Sequence, residues 1–136
     1  MHTQIYLFFD GRTEEALDFY KKTLGIEVEM LMRYKDAPVE AGEGCAPGSE
    51  NKVMHSSFKL GDQRVMASDG RNEGKPNFQG FALSLAARDK AEAEKVFAAL
   101  GEGGQVQQPL IETFFSPKFG MVQDKFGVGW MVLVGQ

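Results

Sequence analysis

The spacing of apolar residues divides the first third of the chain into a strand, a helix and a strand. Ile5 to Phe9 is an apolar run too short for a helix and ended by Asp10-Gly11, which predicts a buried strand. Thr13 predicts the N-cap of an amphipathic helix that ends at Gly25. Apolar and charged residues alternate at the start of Ile26 to Tyr34, and this alternation favours a second strand.

A hairpin follows a long segment that contains glycine and proline. Val53 to Leu60 and Gln63 to Ser68 are strand-like runs on either side of Gly61-Asp62. The preceding segment, Lys35 to Asn51, holds three glycines and two prolines, so we expect a long loop there. Asp69 to Phe78 is polar and rich in turn residues, and we expect it to link two halves of the chain.

The second half repeats the same order of elements. Phe81 to Ala86 predicts a strand, and Asp89 with Glu92 forms the capping-box pattern of a helix with one apolar face. Gln105 to Leu110 predicts the next strand. The last two strands come from the aromatic-rich end of the chain, on either side of a turn at Gln123 to Gly127.

The two halves also match residue by residue. Five identical pairs share one offset of 78 positions: Leu7 and Leu85, Glu14 and Glu92, Phe19 and Phe97, Gly25 and Gly103, Val28 and Val106. Lys59-Leu60-Gly61 and Lys125-Phe126-Gly127 match at a shorter offset of 66, as an insertion around Asp36 to Glu50 would produce. The pattern predicts one domain, residues 1–136, built from two βαβββ modules, residues 1–69 and 79–136.

Composition narrows the class of protein. The 136 residues are 43% hydrophobic and 25% charged, which is typical of a globular domain. A net charge of −4 and a pI near 5.2 disfavour a nucleic-acid partner. We expect no membrane span, since no apolar run approaches the roughly 20 residues that a spanning helix needs. No secretion signal opens the chain and Cys45 has no disulfide partner, so we expect a cytoplasmic protein.

The candidate binding residues are concentrated in the last third of the chain. Large aromatic side chains there lie among polar groups, a composition typical of a pocket wall. Glu112 is the candidate general base, provided that the fold buries it. Arg33 either clamps an anionic substrate or pairs with an acid such as Glu29. The candidate substrate-binding residues are Tyr6, Arg33, Phe114, Phe115, Met121 and Trp130; each of the apolar ones alone also suits a core or a dimer interface.

Segments spread over nearly the whole chain carry a family resemblance. They are Tyr6 to Gly11, Glu15 to Tyr20, Val53 to His55, Met66 to Asp69 and, above all, Pro109 to Phe114 with Phe119 to Trp130. Together they resemble the PhnB-like branch, named 3-demethylubiquinone methyltransferase-like, of the glyoxalase/bleomycin-resistance or vicinal-oxygen-chelate superfamily. The resemblance implies an α+β fold in which two βαβββ modules form curled mixed sheets, a cleft within that sheet, and a homodimer.

The superfamily's metal ligands have few counterparts in this chain. The resemblance implies that metal-using members place His or Glu ligands near Gln4, His55, Gly80 and Met131, and only His55 is a good ligand. We therefore expect no metal and no other cofactor, although a site of His2, His55 and a carboxylate remains open. His55 either faces the cleft as an acid, a base or a hydrogen-bond donor, or is a strand histidine satisfied by its neighbours.

These features predict a metal-independent protein that binds a small molecule in an apolar cleft lined by His55, Arg33 and Glu112. One alternative is a metal-dependent lyase, isomerase or dioxygenase that uses His55. Another is a resistance protein that sequesters a drug. The methyltransferase label gains no support, since no glycine-rich loop of the nucleotide-cradling kind follows the first strand. The identity of the ligand does not follow from the fold class.

Overall fold

The structure, a computed structural model, describes residues 1–36, 48–70 and 74–135. The chain forms two compact units, Met1–Pro76 and Asn77–Gln136. The first unit contains β1 (Ile5–Phe8), α1 (Thr13–Leu24), β2 (Glu27–Arg33), a short 3-10 helix (Tyr34–Asp36), β3 (Val53–Leu60) and β4 (Gln63–Ser68). The second contains β5 (Leu83–Ala87), α2 (Lys90–Gly101), β6 (Gln105–Ile111), β7 (Phe119–Gln123) and β8 (Gly129–Val134).

The predicted α+β class is confirmed, since each unit is a four-stranded mixed sheet with one helix. The sheet orders are β1-β4-β3-β2 and β5-β8-β7-β6, so the second unit repeats the topology of the first. In each sheet the strand before the helix pairs in parallel with the last strand, and the other neighbours are antiparallel. Of the predicted long loop, residues 37–47, which include Cys45, lie outside the described residues, as do residues 71–73 of the predicted linker.

In the first unit, one face of the sheet packs against α1. The ring of Tyr20 in α1 lies 6.3 Å from the ring of Phe58 and 6.1 Å from that of Phe9, measured between centroids. Leu7 and Ala67, paired across β1 and β4, are buried on the same face. Burial of these apolar surfaces is the main stabilising contribution to this unit. The opposite face of the sheet carries the residues of alternate parity, most of which are partly buried or exposed.

In the second unit, α2 covers the corresponding face. Phe97 of α2 approaches Gly120 so closely that a Cβ added at Gly120 would lie 2.7 Å from its ring. Trp130 is 1% exposed, and its indole N–H donates a hydrogen bond of 2.9 Å to Asp124. Asp124 also accepts from two backbone N–H groups of the β7–β8 turn. The carboxylate therefore holds the turn and the core tryptophan together.

The strand ladders correct the predicted offset between the two modules. β1 and β2 match β5 and β6 at 78 positions, as predicted. However, Phe58 and Val122 occupy equivalent ladder positions, since they pair with Val28 and Val106, and this gives an offset of 64 on β3. The offset of 66 from the Lys-x-Gly turns is wrong because each turn needs a left-handed residue, and glycine fills that place at Gly61 and Gly127 independently of the ladder.

The start of α1 differs from the prediction as well. Thr13 is the first helical residue, and the N-cap residue Arg12 makes no side-chain cap hydrogen bond. The backbone N–H of Thr13 donates to Asp69 at 2.7 Å, and the other oxygen of Asp69 accepts from the N–H of Val53 at 2.7 Å. The Thr13 hydroxyl is buried and has no hydrogen-bond partner among the described residues. The prediction of Thr13 as N-cap is therefore wrong, because the acceptor comes from the end of β4.

The start of α2 follows the prediction more closely. Asp89 is the N-cap, and its carboxylate accepts from the N–H of Glu92 at 2.8 Å. Glu92 reaches back to the N–H of Arg88 at 3.1 Å, one residue before the place that a capping box uses. Two of the backbone N–H groups near this helix end are thus satisfied by local side chains.

The base of the β2–β3 connection is closed by hydrogen bonds. The N–H of Tyr34 donates to the carbonyl of Lys52 at 3.1 Å, and the N–H of Lys35 donates to the carbonyl of Glu50 at 2.9 Å. These bonds continue the pairing of β2 and β3 past the strand ends. No helix among the described residues is long and apolar enough to cross a membrane.

Candidate functional site

Two predicted site residues meet on the face of the first sheet that points away from α1. The hydroxyl of Tyr6 on β1 and Nδ1 of His55 on β3 are 3.0 Å apart. Their rings are stacked, with centroids 5.6 Å apart and planes at 29°. β4 lies between β1 and β3, so the two side chains meet across it. β4 contains no aromatic residue. Both side chains are half-buried and remain accessible from this face.

The hydrogen bond allows two tautomers of His55, and both leave the same ring atom free. If Tyr6 donates to Nδ1, then Nε2 carries the proton and offers a donor. If Nδ1 carries the proton and Tyr6 accepts it, then Nε2 offers a lone pair. Among the described residues Nε2 has no hydrogen-bond partner. The pair can therefore present a donor or an acceptor to a bound molecule.

Methionines and an exposed phenylalanine surround the pair. Tyr6, Met66, Ser57 and Met30 form one row of cross-strand partners, and Met32 pairs directly with His55. Phe8 is 58% exposed, and its ring centroid lies 4.9 Å from that of Tyr6. We call this surface the open face; it comprises Tyr6, Phe8, Met30, Met32, His55, Ser57 and Met66. These methionines are not among the predicted site residues, although the position of Met66 between the buried Val65 and Ala67 on β4 is a signal that places it on this face.

The second sheet lacks an equivalent pair. By ladder position Tyr6 corresponds to Ser84 and His55 to Phe119. Met131, expected at a ligand position of the family, instead corresponds to Met66. The polar pair thus belongs to the first module alone, and the equivalent surface of the second is formed mainly by apolar side chains.

Arg33 lies elsewhere in the first unit and is engaged. Its guanidinium donates to both oxygens of Glu14, at 2.6 and 3.2 Å, and to the carbonyl of Asn51 at 2.7 Å. The hydrogen bond from Arg33 lowers the pKa of Glu14, and the same bond raises the pKa of Arg33. The expected alternative, an ion pair, is what the structure contains, but the acid is Glu14. Glu29 on β2 pairs instead with Arg64 on β4, across the intervening β3.

The remaining candidates belong to the second unit and differ widely in burial. Glu112 is exposed, so the burial on which its role as a general base depends is absent. Phe114 is 100% exposed and Phe115 38% exposed, and their rings meet edge to face at 5.1 Å. Met121 is half-buried on the sheet face opposite α2. Trp130 is a core residue on the helix side, which corrects its predicted place in a binding wall.

A second feature of the first unit is a polar depression of about 350 Å³ beside α1. Glu14, Glu15 and Asp18 line one side, and Lys52 lines the other. The ammonium of Lys52 donates to the carbonyl of Gly11 at 3.0 Å. The depression is open to solvent and rich in carboxylates that water can hydrate, so it lacks the apolar lining of a typical small-molecule site.

The described residues do not fit a zinc-like or iron-like ion. The part of the chain that the structure describes contains no group of three or more His, Cys, Asp or Glu whose arrangement could hold a metal ion. Such ions need about three nitrogen, thiolate or carboxylate donors. His2 is exposed near the N-terminus, and the expected alternative of His2, His55 and a carboxylate is not assembled in the described residues.

Comparisons with known proteins agree with the topology. The family model described as 3-demethylubiquinone-9 3-methyltransferase matches residues 2–133. Protein YjdN of Escherichia coli (strain K12) is 32% identical over 135 residues, which are 95% of this chain and 92% of that protein. The crystal structure of protein PA1353 from Pseudomonas aeruginosa is 38% identical with a TM-score of 0.84, and 99% of each chain is covered.

Two further structures bear on the branch and on the fold. A Bacillus cereus PhnB protein, described as a putative 3-demethylubiquinone-9 3-methyltransferase, is 29% identical with a TM-score of 0.82. That match covers 99% of this chain and 100% of the Bacillus cereus chain. A glyoxylase/bleomycin resistance protein/dioxygenase domain from Frankia sp. EAN1pec is 12% identical with a TM-score of 0.65, over 99% of this chain and 95% of that one. The latter likeness concerns the fold alone.

Proposed function

Because the chain belongs to the PhnB-like 3-demethylubiquinone-9 3-methyltransferase family of the glyoxalase/bleomycin-resistance superfamily, we propose that it binds a small apolar molecule on its open face. The observation that carries this proposal is the hydrogen-bonded pair of Tyr6 and His55 at the centre of that face. The equivalent positions of the second module, Ser84 and Phe119, hold no such pair. The pair is therefore a specific feature of one module.

The composition of the open face suits an uncharged ligand with one polar group. Methionine side chains are flexible and polarizable, so Met32 and Met66 adapt to the shape of an apolar molecule. The rings of Tyr6 and Phe8 supply flat surface for stacking. His55 Nε2 supplies the single directional contact, which fixes the orientation of the ligand. This division between apolar walls and one polar anchor is typical of small-molecule sites.

The proposal does not include a divalent metal or methyl transfer. The open face provides one histidine, and the described residues contain no group of three or more His, Cys, Asp or Glu that could hold a metal ion, which disfavours the alternative of a metal-dependent lyase, isomerase or dioxygenase. The connection from β1 to α1 contains a single glycine, Gly11, so it offers no nucleotide-cradling loop for the family's methyltransferase description. We propose that Arg33 and Glu112 take no part in binding, because Arg33 is engaged by Glu14 and Glu112 is exposed.

Binding is tested by titrating the protein with two uncharged probes, 2-naphthol and 2-acetonaphthone, while amide and histidine-ring NMR signals are followed. We expect shifts concentrated at Tyr6, His55 and Met32. His55→Phe, which copies the second module, removes one hydrogen bond and weakens binding roughly threefold to tenfold. Ser84→Ala is the matched control and leaves the affinity unchanged. Shifts confined to the second unit, or an unchanged affinity in His55→Phe, contradict the proposal.

Two further measurements, ligand analysis after incubation and metal analysis of the purified protein, separate the alternatives. A drug-sequestering protein returns the ligand chemically unchanged after prolonged incubation, whereas an enzyme converts it. A divalent ion that copurifies with the protein and is lost in His55→Phe identifies a metal-dependent enzyme.

We also propose that the protein forms a homodimer, as the family resemblance implies. Phe114 is fully exposed and its ring meets that of Phe115, itself 38% exposed, and apolar surface of this kind is commonly covered by a partner chain. Sedimentation velocity of the full chain measures the mass directly. A monomer at all concentrations contradicts this part of the proposal.

A further inference from the structure

Three of the seven methionines lie around His55 on the open face. We propose that His55 Nε2 and the thioether sulfurs of Met30, Met32 and Met66 form a site for a soft monovalent metal ion, Cu(I) or Ag(I). The proposal goes beyond ligand binding and does not depend on it. It requires only the register of the sheet and the chemistry of the donors.

The register brings the four side chains to one patch. Met32 is the direct cross-strand partner of His55 in the β2–β3 ladder. Met30 and Met66 both pair with Ser57, which is two residues from His55 on the same strand and on the same face. Direct partners have Cβ atoms about 5 Å apart and diagonal neighbours about 7–8 Å apart, which is within reach of long side chains. One imidazole therefore has three thioethers among its nearest cross-strand neighbours.

The donor set is soft, and this determines which ion it favours. Thioether and imidazole ligands select Cu(I), whereas zinc, iron and magnesium prefer sites with thiolates, more imidazoles or carboxylates. The described residues contain no group of three or more His, Cys, Asp or Glu that could hold a metal ion, so the patch lacks the donor set that those ions prefer. Ag(I) has the same charge and similar softness as Cu(I), and it resists oxidation in air. It is therefore a suitable probe.

Tyr6 supplies the positioning contact that a metal-bound histidine needs. Metal-ligating histidines usually hold their second ring nitrogen in a hydrogen bond, which fixes the tautomer and the orientation of the ring. In the tautomer in which Nδ1–H donates to the Tyr6 oxygen, 3.0 Å away, the Nε2 lone pair is left for the ion. The second module has no counterpart: Met121 and Met131 pair directly, but Phe119 stands at the position of His55.

The test is a calorimetric titration of the full chain with Ag(I) in a chloride-free buffer. All variants carry Cys45→Ser, because a thiolate is itself a soft ligand. We expect binding of one ion per chain. Met32→Leu and His55→Phe each weaken binding at least about tenfold, and Tyr6→Phe weakens it by about tenfold through the lost positioning contact. Equal affinity in Met32→Leu and the parent protein overturns the proposal.

Met121→Leu is the matched control. Met121 pairs with Met131 across β7 and β8, but no histidine lies beside this pair on the second sheet. The affinity of this variant stays at the parent value, and a loss as large as that of Met32→Leu overturns the proposal. A second readout needs no substitution at the site. The NMR signals of the Met32 and Met66 methyl groups shift when Ag(I) is added, while that of Met131 does not. Absence of binding, or shifts only outside the open face, overturns the proposal.

Discussion

The start of α1 offers a test in which one substitution should lower stability and another should leave it unchanged or raise it. Asp69 is 1% exposed and accepts hydrogen bonds from the N–H groups of Thr13 and Val53. Asp69→Ala leaves both buried N–H groups without an acceptor. Each unpaired buried donor costs about 1–3 kcal/mol, so we expect the free energy of unfolding to fall by about 2–6 kcal/mol. A loss of that size is a large part of the stability of a small domain.

Thr13→Val keeps the backbone N–H that donates to Asp69 and removes only the side-chain hydroxyl. Valine has the shape of threonine and a similar helix propensity, but it lacks the buried hydroxyl that has no partner among the described residues. We expect the free energy of unfolding to stay constant or to rise by up to about 1 kcal/mol. If Thr13 were the N-cap, the substitution would instead cost about 0.5–2 kcal/mol.

Urea unfolding followed by far-ultraviolet circular dichroism measures both effects, provided that the slopes agree between variants. Asp62→Ala is the control, because Asp62 is an exposed aspartate in the β3–β4 turn and should change stability by less than about 0.5 kcal/mol. A fall of about 1 kcal/mol or more in the free energy of unfolding of Thr13→Val would contradict this account, because a loss of that size is typical of a removed N-cap. The account is also refuted if Asp69→Ala behaves like the control.

Three further substitutions test the core and the surface. Trp130→Phe leaves the buried Asp124 carboxylate without its indole donor, and chemical unfolding should show a loss of about 1–3 kcal/mol. Gly120→Ala drives a methyl group against Phe97, so thermal unfolding should show a clear loss, of order 1–3 kcal/mol. The lowered pKa of Glu14, caused first by its hydrogen bond from an arginine, means that its stabilisation is present above the unfolded pKa near 4.5 and is lost as pH falls. Glu14→Gln should therefore be slightly less stable than the parent at neutral pH and equally stable at strongly acidic pH; an equal difference at both would contradict this assignment.

Local patterns were sufficient to predict most elements. The strands of the β3–β4 hairpin have the predicted bounds, because a two-residue turn containing glycine separates two apolar runs. α2 begins after Asp89 as predicted, since its cap is supplied three residues away. Interactions of this kind lie within one turn of the chain. A sequence therefore displays them directly.

Contacts between distant segments could not be predicted in the same way. The cap of α1 comes from Asp69, 56 residues after Thr13, and only the sheet order places them together. Tyr6 and His55 meet because β4 alone separates their strands, which follows from the order β1-β4-β3. The core position of Trp130 does not follow from its sequence because both faces of β8 are apolar, so alternation does not distinguish the core face from the other.

The closed base of the β2–β3 connection makes this part of the fold a natural attachment point. The bonds from Tyr34 to Lys52 and from Lys35 to Glu50 fasten both ends of the connection, and Arg33 adds a bond to Asn51. The entropic cost of closing a flexible connection grows slowly with its length, by about 0.6 kcal/mol for each doubling. A fluorescent or affinity module grafted between the two fastened ends should therefore cost the protein little folding stability.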